Sequence, residues 1–340
     1  MRGESRSNEG RTGRRTLRRV GGVMFGALTV GYLFLGGAGA GAIVVGCLLD
    51  LVSVRAPFGT DARVSVDEAP PMERVASFTL LAGFAALVLG TLCLIIDLGR
   101  IDRILALFLN PSLTYLTVGS YALAALVLCG AFLALVRFAY LPAVPRSAVV
   151  AVEAVAAAVG TVVALYTGLL LQGLSAVALW KSPLLPVMFV LSSLSCGMAV
   201  ALVASFFSEL DADLTHAVHV LARVDAAVIA LEALVSAAFA EISLGGGNPA
   251  ASASAAQLMG GSEALAWWGG FILCGLIVPF VVEAVSAVRG CAKPVLRTAL
   301  AVAATLVLVG GLCMRGSIVG AGAHRALELE EPVVQAQPAN

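Results

Sequence analysis

The chain has 340 residues, of which 60% are hydrophobic and 12% are charged, and its formal net charge is zero. A soluble domain carries about 25% charged residues, so the polar residues are too few to cover a core of this size. This composition excludes an ordinary soluble domain, and the balanced charge gives no sign of a nucleic-acid partner. With a mean hydropathy of +0.98, the chain is predicted to lie in a lipid bilayer.

The apolar runs predict the fold class. Only helices and closed barrels satisfy every backbone group inside a bilayer. The runs here are long enough for helices and lack the alternation typical of barrel strands, so we predict an all-α, polytopic membrane protein. Its eight spans are predicted at 23–52, 75–97, 112–139, 147–171, 184–208, 215–242, 263–288 and 295–316. The predicted domains are a basic polar tail at 1–20, a membrane domain at 21–316 and a polar, disordered tail at 317–340.

The first element admits two interpretations. The stretch "GRRTLRR" precedes an apolar run and "AGAG", as in a twin-arginine signal peptide with a small-residue cleavage site. The apolar run from Val23 to Val52 is much longer than the core of such a peptide. A retained first span is therefore favoured.

That span is rich in glycine. Small residues let helices in lipid approach each other closely, and Gly37 and Gly41 form a GxxxG pair. We therefore predict tight helix packing by this span. Its other glycines are Gly36, Gly39 and Gly46.

Basic residues give a divided prediction for orientation. Eight spans put both termini on one side, where we count 12 basic residues against 8 on the opposite side. The positive-inside rule then places the termini inside. Without the N-terminal tail, however, the count is 5 against 8, and the prediction reverses.

Ionisable residues inside the spans are functional candidates, because their burial in lipid is expensive. Asp225 and Glu232 are seven residues apart, so they share a helix face about 10 Å apart along the axis. They are either two stations of a proton path, or Arg223 and Asp225 lie near the head groups and only Glu232 is deep. The remaining candidates within or at the ends of spans are Asp50, Asp97, Glu153, Tyr166, Glu241 and Glu283.

No resident cofactor is predicted. The seven cysteines are scattered singly, without the grouping that an iron–sulfur cluster needs, and suit small packing positions. His216 and His219 lie one turn apart on one helix and cannot hold a haem iron from both faces. We therefore predict no haem, no iron–sulfur cluster and no metal in this chain.

The stretch "GGGNP" at 245–249 lacks the Lys-Ser/Thr of a P-loop, and residues 245–261 are predicted to be a flexible connector.

Six segments in order resemble one family. They are "YLFLGGAGAGA" (32–42), "DLGR" (97–100) followed by "LFLNPSLTYLTVGSY" (107–121), "LYTGLLL" (165–171), "WKSPLLPVMFVLSSLSCG" (180–197), "RVDAAVIALEAL" (223–234) and "GGLCMRGSIVGAG" (310–322). Together they resemble the NrfD/PsrC family, the polysulfide-reductase-type membrane subunits, over residues 23–322.

The resemblance implies two four-helix bundles that bind quinone or menaquinone and carry no other cofactor. Electrons would pass between the quinone pool and a ferredoxin-like iron–sulfur subunit, which connects to a molybdopterin catalytic subunit. The chain would be the membrane anchor of a respiratory oxidoreductase, either non-catalytic or quinol-oxidising. It would lie in the cell membrane with its termini on the outer side, facing the iron–sulfur partner.

The resemblance also carries candidate site residues. Tyr166 in "YTG" matches a tyrosine that contacts the quinone head group, and a phenol can donate to a carbonyl without ionising. Leu28 and Gly31 stand where family members carry Asn and His, so Asp97 and Arg100 are either substitute quinone contacts or a structural ion pair. The proton-transfer candidates are Glu153, Asp225 and Glu232.

Two other functions fit parts of the sequence. Buried acids and glycine-rich helices also suit a small-molecule or proton-coupled transporter, although residues 23–172 and 184–316 show no convincing internal repeat. A structural anchor without quinone chemistry is the third interpretation.

Overall fold

The computed structural model describes residues 5–53, 70–98, 115–138, 144–173, 177–209, 211–289 and 294–323. Within these ranges the chain is helical, with no strand. The helices are α1 (Ser5–Ser53), α2 (Pro71–Leu98), α3 (Tyr115–Phe138), α4 (Arg146–Gly173), α5 (Leu184–Phe206), α6 (Ala212–Gly245), α7 (Pro249–Gly260), α8 (Leu265–Arg289) and α9 (Pro294–Ala323). A short 3₁₀ turn, Ala178–Lys181, precedes α5.

The prediction of eight membrane spans is confirmed. Eight helices in the described part of the chain, all except α7, are long and apolar enough to cross a bilayer. Large apolar side chains such as Leu128 and Leu234, 71% and 69% exposed, cover their outer faces. A continuous apolar exterior marks a surface that faces lipid rather than water.

Two ends differ from the prediction. Helix α1 begins at Ser5, within the basic tail, although its apolar window is Gly26–Val52. Helix α9 continues to Ala323 rather than ending at 316, because the residues after Arg315 carry no charge that would stop it. Arg315 therefore lies about 12 Å inside the end of α9.

The spans form the predicted two bundles. Helix α1 packs against α2 and α4, and α3 packs against α4. In the second bundle α5 packs against α6 and α9, and α8 packs against both α6 and α9. The bundles meet where α1 contacts α5 and α9. Successive spans alternate in direction, so α1 begins and α9 ends at one side of the membrane, here called the terminal side.

The glycines of α1 permit its central position, which confirms the predicted tight packing. The apolar window of α1 is 78% buried, the largest fraction of the eight spans in the described residues. A Cβ on Gly41 would lie 1.8 Å from the carbonyl oxygen of Ser193 on α5. A Cβ on Gly39 would lie 2.7 Å from the backbone nitrogen of Leu87 on α2. The helix backbones thus touch on both sides of α1.

Helix α8 changes its geometry along its length. Leu265–Ile277 is π-helical, and Val278–Arg289 is α-helical. π-helical turns are rare and usually short, so this stretch is unusually long. At its end a Cβ on Gly275 would lie 2.7 Å from the Cα of Gly310, so α8 and α9 are in backbone contact there.

The prediction of a flexible connector at 245–261 is wrong. The segment contains α7, which begins with Pro249 after Asn248. The Asn248 side chain accepts a hydrogen bond from the Ala250 nitrogen at 3.0 Å, a typical helix N-cap. The alanine-rich composition favours helix, and Ala255 and Leu258 are buried beneath it. The helix rests on α6, α9 and the 3₁₀ turn.

Candidate functional site

Two tyrosines meet between α1, α3 and α4 in the terminal half of the first bundle. Tyr166 on α4 and Tyr32 on α1 are 3% and 1% exposed. The Tyr166 hydroxyl faces both Tyr32 and Ser120 of α3. The three hydroxyl groups form one polar cluster among apolar side chains, and each can donate or accept a hydrogen bond.

A glycine on α3 makes room for the Tyr166 ring. A Cβ on Gly119 would lie 1.9 Å from the Cδ2 atom of that ring. No real side chain approaches so closely, so any larger residue at Gly119 would displace Tyr166 or part the helices. The absence of a side chain at Gly119 therefore allows the Tyr166 ring to occupy this position.

Asp97 lies near this cluster, at the end of α2. Its Oδ2 atom accepts a hydrogen bond from the Thr29 hydroxyl at 2.9 Å, which ties α2 to the start of α1. Arg100 lies outside the described residues. Leu28 and Gly31 flank Thr29 on α1, and neither has a side chain that can form a hydrogen bond. The structure thus gives Asp97 a partner that the sequence did not indicate.

Four charged residues are linked at the opposite end of the first bundle. An Nη2 atom of Arg137 on α3 lies 2.8 Å from Asp50 Oδ2 and 2.8 Å from Glu153 Oε1. Arg146 also pairs with Asp50, at 2.6 Å, and Arg137 donates to the Ser77 hydroxyl at 2.9 Å. The two acids are completely buried, and two cations balance their charge.

This arrangement bears on Glu153, one of the three proton-transfer candidates. Its Oε1 atom accepts a hydrogen bond from a guanidinium that always carries its proton. A carboxylate held in this way is a poor proton carrier. The geometry favours a structural role for Glu153, which joins α4 to α3.

Arg315 occupies the junction of the two bundles and is completely buried. Its Nε atom donates to the Leu33 carbonyl of α1 at 3.0 Å. Its Nη atoms donate to the Ser192 and Ser193 hydroxyls of α5, both at 3.1 Å, and to the Gly311 carbonyl at 2.9 Å. All four acceptors are neutral. The rings of Phe189 and Phe34 lie 5.1 and 5.8 Å from the guanidinium carbon.

Glu232 is the nearby acid. It lies on α6, 3% exposed, and it interacts with the hydroxyl of Ser192, the residue that also accepts from Arg315. Its Oε1 atom has no hydrogen-bond partner among the described residues. Since buried charges are normally paired, Glu232 is the natural counter-ion of Arg315, with Ser192 between them.

Asp225 and Glu283 form a second acidic group, and Asp225 is nearer the start of α6 than Glu232 is. Both are completely buried, on α6 and α8. Their carboxyl groups interact with each other. The burial of Asp225 places it inside the bundle, and both interpretations of its depth in the membrane stay open.

The sequence did not single out three of the groups that complete these clusters. Tyr32 and Ser120 join Tyr166 only through the fold, and their local sequence resembles any apolar helix. Arg315 was placed at the end of a helix, because the last span was predicted to stop at 316. The uncharged residues 316–323 were the signal for a longer helix.

Metal-ligating side chains are dispersed across the spans. In the part of the chain that the structure describes, no three His, Cys, Asp or Glu side chains come together in a way that could hold a metal ion.

Comparison with known proteins identifies a family. A family model described as "Polysulphide reductase, NrfD" matches residues 17–326. The matched region contains all eight spans, both tyrosines and every buried ion described above. A search of curated proteins found no match.

Proposed function

The chain belongs to the NrfD family, and on that premise we propose that it binds quinol and passes its electrons to an iron–sulfur partner subunit. NrfD proteins are membrane subunits of polysulfide-reductase-like complexes. The partner would connect to a molybdopterin enzyme. The observation that carries the proposal is the Tyr166 cluster, in which two buried phenol groups and the Ser120 hydroxyl lie together in the terminal half of the first bundle.

Tyr166 would hold the quinone head group. A phenol donates a hydrogen bond to a quinone carbonyl and accepts one from a quinol hydroxyl. Tyr32 and Ser120 lie beside its hydroxyl, and Asp97 with Arg100 would supply the polar contacts that Leu28 and Gly31 do not. Oxidation of quinol to quinone releases two electrons to the partner cluster and two protons. Asp225 and Glu232 are the proposed proton carriers.

The first test is isolation of the chain with its partners from native membranes in mild detergent. We expect the complex to contain iron and molybdenum and to oxidise a menaquinol analogue. A well-folded chain that elutes alone, free of metal and inactive towards quinol, would overturn the proposal. A transporter would then best explain the buried acids.

Replacement of Tyr166 by phenylalanine tests the site itself. We expect kcat/KM for quinol oxidation by the complex to fall about tenfold, because one hydrogen bond to the head group is lost. Tyr121→Phe is the matched control, since Tyr121 lies on α3 with 41% of its surface exposed. Unchanged oxidation by an assembled Tyr166→Phe complex would instead indicate a structural anchor.

The proposed orientation places both termini on the outer side, next to the iron–sulfur partner. Alkaline phosphatase fused after Asn340 is then expected to be active in whole cells, and green fluorescent protein at the same position is expected to be dark. The control is a fusion of each reporter after residue 209, which should give the reverse pattern. A fluorescent C-terminal fusion would show that the termini face the cytoplasm.

A further inference from the structure

We propose that Asp225 and Glu283 form a proton-binding pair, through which the second bundle conducts protons between the quinone site and the membrane surface opposite to it. This inference rests on the proposed function for its proton source. The assignment of Asp225 and Glu283 as a proton-binding pair does not depend on the proposed function, because their protonation can be measured without quinol or a partner subunit.

The carboxyl oxygens of the pair lack hydrogen-bond donors among the described residues. This holds for both oxygens of Asp225 and both oxygens of Glu283. Ionised carboxylates only accept hydrogen bonds, and two like charges in contact inside a protein cannot both stay ionised. A proton held between the two carboxyl groups satisfies both requirements.

Ser195 is an independent sign of a bound proton or water at this position. Its side chain on α5 is 1% exposed, and its hydroxyl has no hydrogen bond of normal geometry within the described residues. It nevertheless lies beside Asp225. A buried hydroxyl normally has a hydrogen-bond partner, and a proton or water shared with Asp225 would provide one.

The pair connects towards the quinone site along α5. Ser195 lies one turn from Ser192, which interacts with Glu232 and accepts from Arg315. Ser236, one turn from Glu232, also has a buried hydroxyl without a partner in the described part of the chain. The Arg315 Nε atom in turn binds the carbonyl of Leu33, the neighbour of Tyr32. Polar groups thus follow one another from Arg315 to Asp225, and Arg315 contacts the helix that carries Tyr32 at Leu33.

The pair also lies near the opposite surface. Glu283 is six residues from the end of α8 at Arg289, about 9 Å along the axis. Arg223 on α6 donates to the Ala287 carbonyl at 3.2 Å at that end. The polar groups beside the pair are Ser195 and Cys196 on α5 and Glu232 on α6, and Ser286 lies one turn from Glu283 on α8. Glu232 in turn faces Ser192 on α5 and Arg315 on α9.

The transfer conserves protons and charge. At rest the pair holds one proton and a charge of −1. Glu232 is at rest a carboxylate opposite Arg315. A proton from quinol oxidation first neutralises Glu232 and then moves to the second acid of the pair, which returns Glu232 to its carboxylate form. The pair then releases one proton to the opposite surface. In the described part of the first bundle the buried acids Asp50 and Glu153 are held by Arg137, so they do not form an equivalent route.

Infrared spectroscopy of the purified chain in lipid nanodiscs tests the pair. We expect a band of a protonated carboxyl group that shifts in D2O, and we expect Glu283→Gln and Asp225→Asn each to remove or move it. Glu241→Gln, at an exposed position of α6, is the control and should leave it unchanged. The swap Asp225→Glu with Glu283→Asp keeps both acids and should retain the band if a single variant folds poorly. Spectra of folded variants identical to wild type, or a band abolished by Na⁺, would overturn the proposal.

The conduction step is tested with the complex in liposomes that contain a pH-sensitive dye. The ratio of protons moved across the membrane to electrons transferred is expected to fall at least tenfold in Glu283→Gln. An unchanged ratio would overturn the conduction step. An absence of quinol oxidation in the wild-type complex would instead count against the proposed function, whereas the infrared band would still report on the pair.

Discussion

Replacing Arg137 by methionine is expected to lower the free energy of unfolding by about 3–5 kcal/mol, the range for a buried ion pair that loses one partner. The reason is the position of its guanidinium, 2.8 Å from both Asp50 and Glu153. Asp50 keeps Arg146 after the change, but Glu153 is left as a buried carboxylate without a cation. Unfolding in mixed micelles of increasing SDS content measures the effect.

A second substitution identifies the cause. Arg137→Met combined with Glu153→Gln removes the unpaired charge and should recover most of the lost stability. Arg223→Met is the matched control, since Arg223 is an exposed arginine on a span and should change stability little. Equal stability of Arg137→Met and wild type would mean that the cluster does not stabilise the first bundle.

Replacing Gly41 by valine is expected to cost about 3 kcal/mol or more, at or above the usual range for overpacking. Its Cβ would lie 1.8 Å from the Ser193 carbonyl oxygen, and the obstacle is backbone rather than a flexible side chain. Helices α1 and α5 must therefore separate, which also disturbs the contacts of Arg315 with Leu33 and Ser193. The same SDS unfolding assay reports the loss.

Gly26→Val provides the comparison on the same helix. No atom lies within 4 Å of a Cβ at Gly26, so this variant should remain close to wild type. Gly41→Ala should fall between the two, because it adds the clashing Cβ without the γ-methyl groups. If Gly41→Val and Gly26→Val were equally stable, that result would contradict the close contact between α1 and α5 at Gly41.

The fold was predictable because lipid imposes strong rules. The hydrophobic composition indicated that the chain lies in lipid rather than in water. The eight apolar runs predicted the ends of the spans to within several residues. The helix α7 was missed because its Ala- and Ser-rich sequence has the composition of a loop. Its helical state depends on the cap of Asn248 and on the burial of Ala255 and Leu258, and the burial is a tertiary effect.

The site was only partly predictable. Resemblance to a family indicated Tyr166, but the hydroxyl groups around it come from helices distant in sequence. The positions of charged residues were harder still. Arg315, Arg137 and Arg146 were counted as loop charges for orientation, yet Arg315 is completely buried and the other two are committed to buried acids. If these three arginines are left out together with the N-terminal tail, 4 basic residues remain on the terminal side and 6 on the opposite side. This count still favours termini on the outer side.

The four-charge cluster has a consequence for how the protein is made. Asp50 is synthesised 96 residues before Arg146, and spans enter the membrane in the order of their synthesis. Asp50 therefore precedes both of the cations that pair with it, and the cluster can form only after α3 and the start of α4 have been synthesised.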